Sequence, residues 1–293
     1  MKLAFPVLSL LLLLALSALR AAAPPQAPLL DKDQNDLLLA VMVGDVPKAK
    51  AILSRGVSPN FSDPRKKSGL TPLTSAAGKG HAEMVDALLQ AKADVNFADG
   101  RGMTPLMHAV RTGAPVTGRL LRAGADLTAR DQEGRTALLW AVGGKEAVHT
   151  LTLLLAVGAD PSDALKDGTT ALMLAVKHGA TEVIPILVKA GANVDAAEPK
   201  RGTTALGVAV GAGNETALGA LLAAGADPNQ KMQAGVTPLI MAVMTGNAKV
   251  VDRLLKGGAD VNLQADNGMT ALAAAHSRAD TAMVALLQAA GGR

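Results

Sequence analysis

A tripeptide Gly-x-Thr recurs at almost fixed spacing through most of the chain, and no other feature constrains the fold as strongly. The copies are Gly69-Leu70-Thr71, Gly102-Met103-Thr104, Gly134-Arg135-Thr136, Gly168-Thr169-Thr170, Gly202-Thr203-Thr204, Gly235-Val236-Thr237 and Gly268-Met269-Thr270. Their threonines follow one another at intervals of 33, 32, 34, 34, 33 and 33. Periods of this length signal stacked repeats. Each Thr is followed by Pro or Ala and then Leu, and five positions on stands an Ala: Ala76, Ala109, Ala141, Ala175, Ala209, Ala242 and Ala275. A Leu-rich pair comes near position seventeen (Leu88-Leu89, Leu120-Leu121, Leu221-Leu222, Leu254-Leu255), then Gly-Ala-Asp or a variant.

Each element has a physical reading. The Gly permits a left-handed turn, the Thr hydroxyl caps the following helix, and Pro presets that helix's first φ. The Ala allows two helices to approach closely. Gly80, Gly113, Gly179, Gly213 and Gly246 are expected to end the first helices, and Gly124, Gly158, Gly191, Gly225 and Gly258 the second ones. A unit of one turn and two short antiparallel helices cannot bury its apolar face alone, so neighbours must stack.

The motif Gly-x-Thr-Pro-Leu-His-x-Ala, nearly complete at Gly69 to Ala76 and Gly235 to Ala242, resembles the ankyrin repeat over about residues 35–293. The resemblance implies an all-α solenoid of about eight helix-turn-helix repeats joined by β-hairpin-like turns. The expected units are an N-terminal cap repeat at 35–66, then 67–98, 99–130, 131–164, 165–198, 199–231 and 232–264, and a C-terminal cap repeat at 265–293, where Gln288 replaces an apolar residue. The motif His is missing from every copy, its places held by Thr74, Met107, Leu139, Met173, Gly207, Ile240 and Ala273, so apolar contact is expected there. Gly143-Gly144-Lys145 stands where a helix end is usual, and the least regular stacking is expected around residues 110–160.

The segment before position 35 is a separate piece. Lys2, the apolar run Val7–Leu19 and Ala21-Ala22-Ala23 read as a secretory signal peptide over 1–23, followed by a Pro/Ala-rich linker over 24–34. The run is shorter than the roughly 20 residues of a membrane span. An uncleaved N-terminal anchor and a buried helix are the alternative readings. Removing 1–23 deletes Lys2 and Arg20 and lowers the formal net charge from +4 to +2.

Composition excludes several chemistries. With no Cys, thiol nucleophiles, Cys zinc sites and disulfides are ruled out. The aromatic residues are Phe5, Phe61, Phe97 and Trp140, too few for a base-stacking platform. His81, His108, His149, His178 and His276 fall in different units, so no metal site is expected; His108 and His178 lie two repeats apart. Asp94, Asp126, Asp160, Asp227 and Asp260 occupy one place per repeat and are expected to bond their own turns. Gly211-Ala212-Gly213 falls short of a dinucleotide fingerprint because Thr216 replaces the third Gly. Trp140 reads as packing. No polar cluster suggests an enzyme, and no cofactor, small-molecule substrate or nucleic acid is expected. Hairpin-tip charge runs from +2 at 57–70, with Arg65, Lys66 and Lys67, to −2 at 259–269. That polarity is no continuous basic stripe.

The expectation is therefore a non-enzymatic, protein-binding scaffold. In repeats resembling these, contacts fall near the Gly-x-Thr tip and the end of the first helix. That places candidate protein-binding positions at Lys67, Leu70, Lys79, Arg101, Met103, Arg111, Arg135, Lys166, Lys177, His178, Lys200, Arg201, Met244 and Met269. The signal segment, zero Cys and heavy Ala/Leu/Gly usage look bacterial and periplasmic or secreted. Exported bacterial proteins of this kind suggest a periplasmic enzyme such as a catalase, or a toxin met by an immunity protein, as the partner. A membrane-tethered structural scaffold is the alternative if the signal remains uncut.

Overall fold

The computed structural model describes residues 30–63 and 69–293. The signal peptide, most of the linker and Lys67 lie outside the described residues. Among the described residues sixteen α-helices follow one another in eight antiparallel pairs, and no strand is present. Pair 1 is α1 (Lys32–Val43) and α2 (Val46–Leu53); pair 2 is α3 (Pro72–Lys79) and α4 (Ala82–Gln90). Pair 3 is α5 (Pro105–Ala109) and α6 (Ala114–Arg122); pair 4 is α7 (Ala137–Ala141) and α8 (Ala147–Ala156). Pair 5 is α9 (Ala171–His178) and α10 (Ile184–Lys189), the latter entered through a 3-10 turn at Thr181–Val183. Pair 6 is α11 (Ala205–Gly211) and α12 (Glu215–Ala223); pair 7 is α13 (Pro238–Thr245) and α14 (Ala248–Lys256); pair 8 is α15 (Ala271–Ser277) and α16 (Thr281–Ala289).

The periodic residues explain this pattern. All seven Gly-x-Thr threonines stand at N-caps in extended conformation, each hydroxyl accepting from the amide three residues on. Such a cap is worth about 1 kcal/mol. At Thr71 the motif's His position, Thr74, closes a capping box. The seven recurring alanines are all completely buried, so a larger side chain at any of them meets a neighbouring helix. In the second helices only the first residue of each Leu pair is fully buried: Leu88, Leu120, Leu154, Leu221 and Leu254 are closed from solvent while their successors are half-exposed. Gln288 beside buried Leu287 therefore costs no core contact.

Two helix-end expectations need correction. Gly80, Gly179 and Gly246 are left-handed C-caps. Gly113 instead N-caps α6, because α5 stops early at Ala109, and α11 likewise ends at Gly211, before Gly213. At Gly144 the backbones of pairs 3 and 4 come so close that a Cβ would sit 2.8 Å from the Val110 carbonyl oxygen. A short α5 and α7 with this contact replace the usual helix end.

The five turn aspartates accept from the amide two residues on within their own loops. The residue at that second place then reaches the next loop. Asn60 accepts from the Asp94 amide, Asn96 from Asp126, Asp195 from Asp227, Asn229 from Asp260 and Asn262 from Arg293, at 2.7–3.0 Å. The ladder lapses where Thr128 and Ser162 hold the place, since a hydroxyl is shorter than an amide or carboxylate and Thr128 donates back to Asp126. Arg130 bridges the first gap by reaching the Ala164 carbonyl and Asp163. A second ladder joins the hairpin tips, from Gln132 to Arg101, Gln233 to Arg201 and Asp266 to Ala234. It lapses at Lys166 and again at Pro199, which has no N–H to donate. The loops after pairs 4 and 5 are thus joined by neither kind of rung; Thr136 donates to Asp163 of the loop between the two pairs, and the helices of pairs 4 and 5 meet through apolar packing. Amide hydrogen exchange should open first around Gly143–Ala147 and Ser162–Lys166; slowest exchange there would contradict this account.

Candidate protein-binding groove

The first helices, the stretches just after them and the hairpin tips build one continuous face. Over pairs 2–5 it forms a groove of about 970 Å³, and over pairs 5–6 an adjoining one of about 700 Å³. No second helix contributes to either lining.

The floor of the larger groove is built on two buried aspartates. Asp99 and Asp131 stand five residues before their N-cap threonines and have no exposed side-chain surface. Each bends a hairpin tip around itself by accepting backbone amides, Asp99 from Arg101 and Met103, Asp131 from Glu133 and Arg135. The second carboxylate oxygen then fixes a side chain on the next first helix: His108 Nε2 at 2.9 Å in pair 3, Trp140 Nε1 at 2.9 Å in pair 4. Burial opposes ionisation of Asp131, but the Arg135 and Trp140 hydrogen bonds and the Arg135 charge outweigh it and hold the carboxyl below its ordinary pKa. Arg135 donates Nε to Asp131 at 2.9 Å and Nη2 to Glu133 at 2.8 Å, and its guanidinium lies 3.8 Å from the Trp140 ring centroid. The Arg111 guanidinium lies 5.1 Å from the same centroid. Trp140 is therefore both packing, as expected, and the half-exposed floor of the groove.

Burial pushes His108 below its ordinary value of 6.5, against the pull of Asp99. A depressed histidine pKa means the unfolded chain binds the proton more readily. The stability contributed is complete above about pH 6.5 and is lost as pH falls below it. Denaturation midpoints should decline from pH 7 to acid, and decline less in His108→Gln; equal slopes in the two proteins would contradict this.

The expected contact positions separate into three groups. Lys79, Arg111, Lys166, Lys177, His178, Lys200 and Arg201 are exposed or half-exposed and line the two grooves, and Arg135 lines the larger one half-buried. Arg101 is exposed beside buried Asp99 at 3.8 Å, and Met244, 51% exposed, lies on α13 beyond both linings. Met103 is a correction: at 1% exposure it is core, its side chain packed inward from the tip. Leu70 and Met269, at the same register, are half-buried. His108 and His178 line one groove yet form no metal cluster; among the described residues no group of three His, Cys, Asp or Glu converges. His81 is structural, its Nδ1 3.1 Å from the Val41 carbonyl of the preceding pair.

Sequence reasoning missed Lys145 and the sign of the groove. Counting charge on hairpin tips left out the first-helix ends, where Lys79, Arg111, Lys145 and Lys177 supply one cation in each of four successive pairs. The two grooves gather eight of the chain's 29 Lys and Arg but only two of its 25 Asp and Glu, Asp167 and Glu198, leaving 21 cations against 23 carboxylates elsewhere. Of those eight, only Arg135 has a carboxylate partner at ion-pair distance among the described residues. Several cations away from the groove are paired: Arg55 with Asp33, Arg119 with Asp86, Lys256 with Asp252.

A stack of helix pairs with a lined inner face defines a repeat protein of the binding-module class. The family model described as ankyrin repeats (3 copies) matches residues 37–131, 138–232 and 206–292, and the chain belongs to that family. Ankyrin repeats are protein-binding modules, typically without catalysis of their own. A probable E3 ubiquitin-protein ligase, XBOS33 of Oryza sativa subsp. japonica, is 41% identical over 78 residues, which are 26% of this chain and 15% of that protein. The chain thus matches about a seventh of the relative's length. Among the described residues no helix is long and apolar enough to cross a membrane.

Proposed function

We propose that this chain is an exported, non-enzymatic scaffold that docks another protein in the groove over pairs 2–6. The observation that carries the reading is the row of cations without carboxylate partners along a preformed cleft. Such charges need break no existing ion pair when a complementary surface arrives, and they speed encounter. Export follows from the apolar run and small-residue site before Pro24. On this reading the protein works in a bacterial periplasm, where a resident enzyme or a toxin is the partner class.

The test is affinity capture from the periplasmic fraction with wild type, Lys145→Glu/Lys177→Glu and, as an equal charge change outside the groove, Arg122→Glu/Lys189→Glu. A stoichiometric protein retained by wild type and the outer variant but lost from the groove variant supports the reading. Undiminished capture by the groove variant contradicts it. Mass spectrometry of the mature N-terminus should find Pro24 first; an intact Met1 in the membrane fraction would replace export with tethering.

A further inference from the structure

We infer that the groove receives an extended acidic segment of the partner, with a carboxylate near every third position. This rests on the docking surface proposed above and adds its chemistry. Successive helix pairs stack about 10 Å apart, and an extended chain advances about 3.3 Å per residue. Three residues therefore span one pair, and four pairs take a segment of about 12 residues. Lys79, Arg111, Lys145 and Lys177 stand seven to nine residues after their N-cap threonines, one to a pair. Each is exposed, with no carboxylate at ion-pair distance among the described residues.

A cation near a helix C-terminus has an ordinary purpose, since it complements the helix dipole. Pairs 6 and 7 answer that reading. There Gly211 and Met244 hold the seventh place after the N-cap Thr, and α11 and α13 form without a cation. The first-helix charge row ends at Lys177 in pair 5, where the second groove passes on to pair 6, and the next cation at this register is Arg278 in pair 8, outside both grooves. It faces a second row on the hairpin tips, from Arg135 to Arg201, so a segment lying between them is met from both sides. Arg135 is already oriented by Asp131 and Glu133 and needs no reordering to donate. The strip between the rows includes half-buried Leu165 and Leu174, which suits small apolar residues between carboxylates.

A polynucleotide fits less well. Phosphates along one strand of a duplex rise by about 3.4 Å, three times as densely as these cations. The Trp140 indole lies beneath guanidinium groups and offers little face for a base.

Trp140 is the only tryptophan of the chain and forms the groove floor, so its fluorescence reports occupancy directly. The full chain is titrated with a twelve-residue peptide carrying Asp at every third position and Ala between, with the same peptide carrying Lys for Asp, and with a single-stranded oligonucleotide of twelve bases. The Asp peptide should give a saturable change that weakens about tenfold in high salt. It should weaken about tenfold or more in Lys145→Glu/Lys177→Glu and stay unchanged in Arg122→Glu/Lys189→Glu. No saturable change with the Asp peptide overturns the inference. So does equal binding of the Lys peptide or the oligonucleotide, or equal weakening by the outer variant. A partner captured through the groove that the Asp peptide does not displace would keep the docking surface and remove the acidic segment.

Discussion

Asp131→Ala should destabilise the chain by roughly 3 kcal/mol, because one buried carboxylate holds four donors at once. Its loss leaves the Trp140 indole N–H and Arg135 Nε without their acceptor and unties the tip amides of Glu133 and Arg135. Asp131→Asn keeps the geometry but loses the charge-assisted bonds, and should cost about half as much. Urea titration gives the magnitudes, and the emission maximum of Trp140 should shift to the red in the Ala variant as the ring loosens into water. A change below about 1 kcal/mol, with unshifted emission, would mean that the tip is held by packing alone.

Leu151→Ala should cost about 3 kcal/mol and, more tellingly, divide the unfolding transition. Leu151 is completely buried in α8 of pair 4, next to the junction that neither hydrogen-bond ladder crosses. In a stack whose stability is a sum of units and nearest-neighbour contacts, weakening a unit at the least coupled junction uncouples its two sides. Trp140 emission follows pair 4 while circular dichroism follows every helix, so the two curves should separate in this variant. The same deletion at Leu254 in pair 7 should leave the Trp140 transition near its wild-type position while helix content falls earlier. Coincident curves in Leu151→Ala would contradict the weak junction.

The contrast between these two sites shows what the sequence carries openly. The N-cap threonines, the buried alanines and the Leu pairs with one buried member recur along the stack, and periodicity exposes them. The Asp–His and Asp–Trp links occur once each, nine residues apart across a turn, and have no period to betray them. The only clue is that pairs 3 and 4 share an Asp five residues before Thr and a ring residue four after it. Met103 reads as exposed from its place at a tip, whereas its side chain turns inward while Arg135, at the same register, lines the groove. The groove charge was hidden differently. Its cations sit eight, seven, nine and seven residues after their threonines, so a strict register count scatters them, and only the folded face collects them.

The apolar junction between pairs 4 and 5 lies beneath the larger groove, since Leu139 and Trp140 belong to one side of it and Leu174 and His178 to the other. A partner seated there would bridge the place the chain itself bridges least. Photo-crosslinking tests that placement most directly. With a photoreactive residue put at Lys177 in the groove or at Lys189 on the outer helix α10, one protein adduct should form through position 177 and none through 189. An adduct through 189 with none through 177 would contradict it.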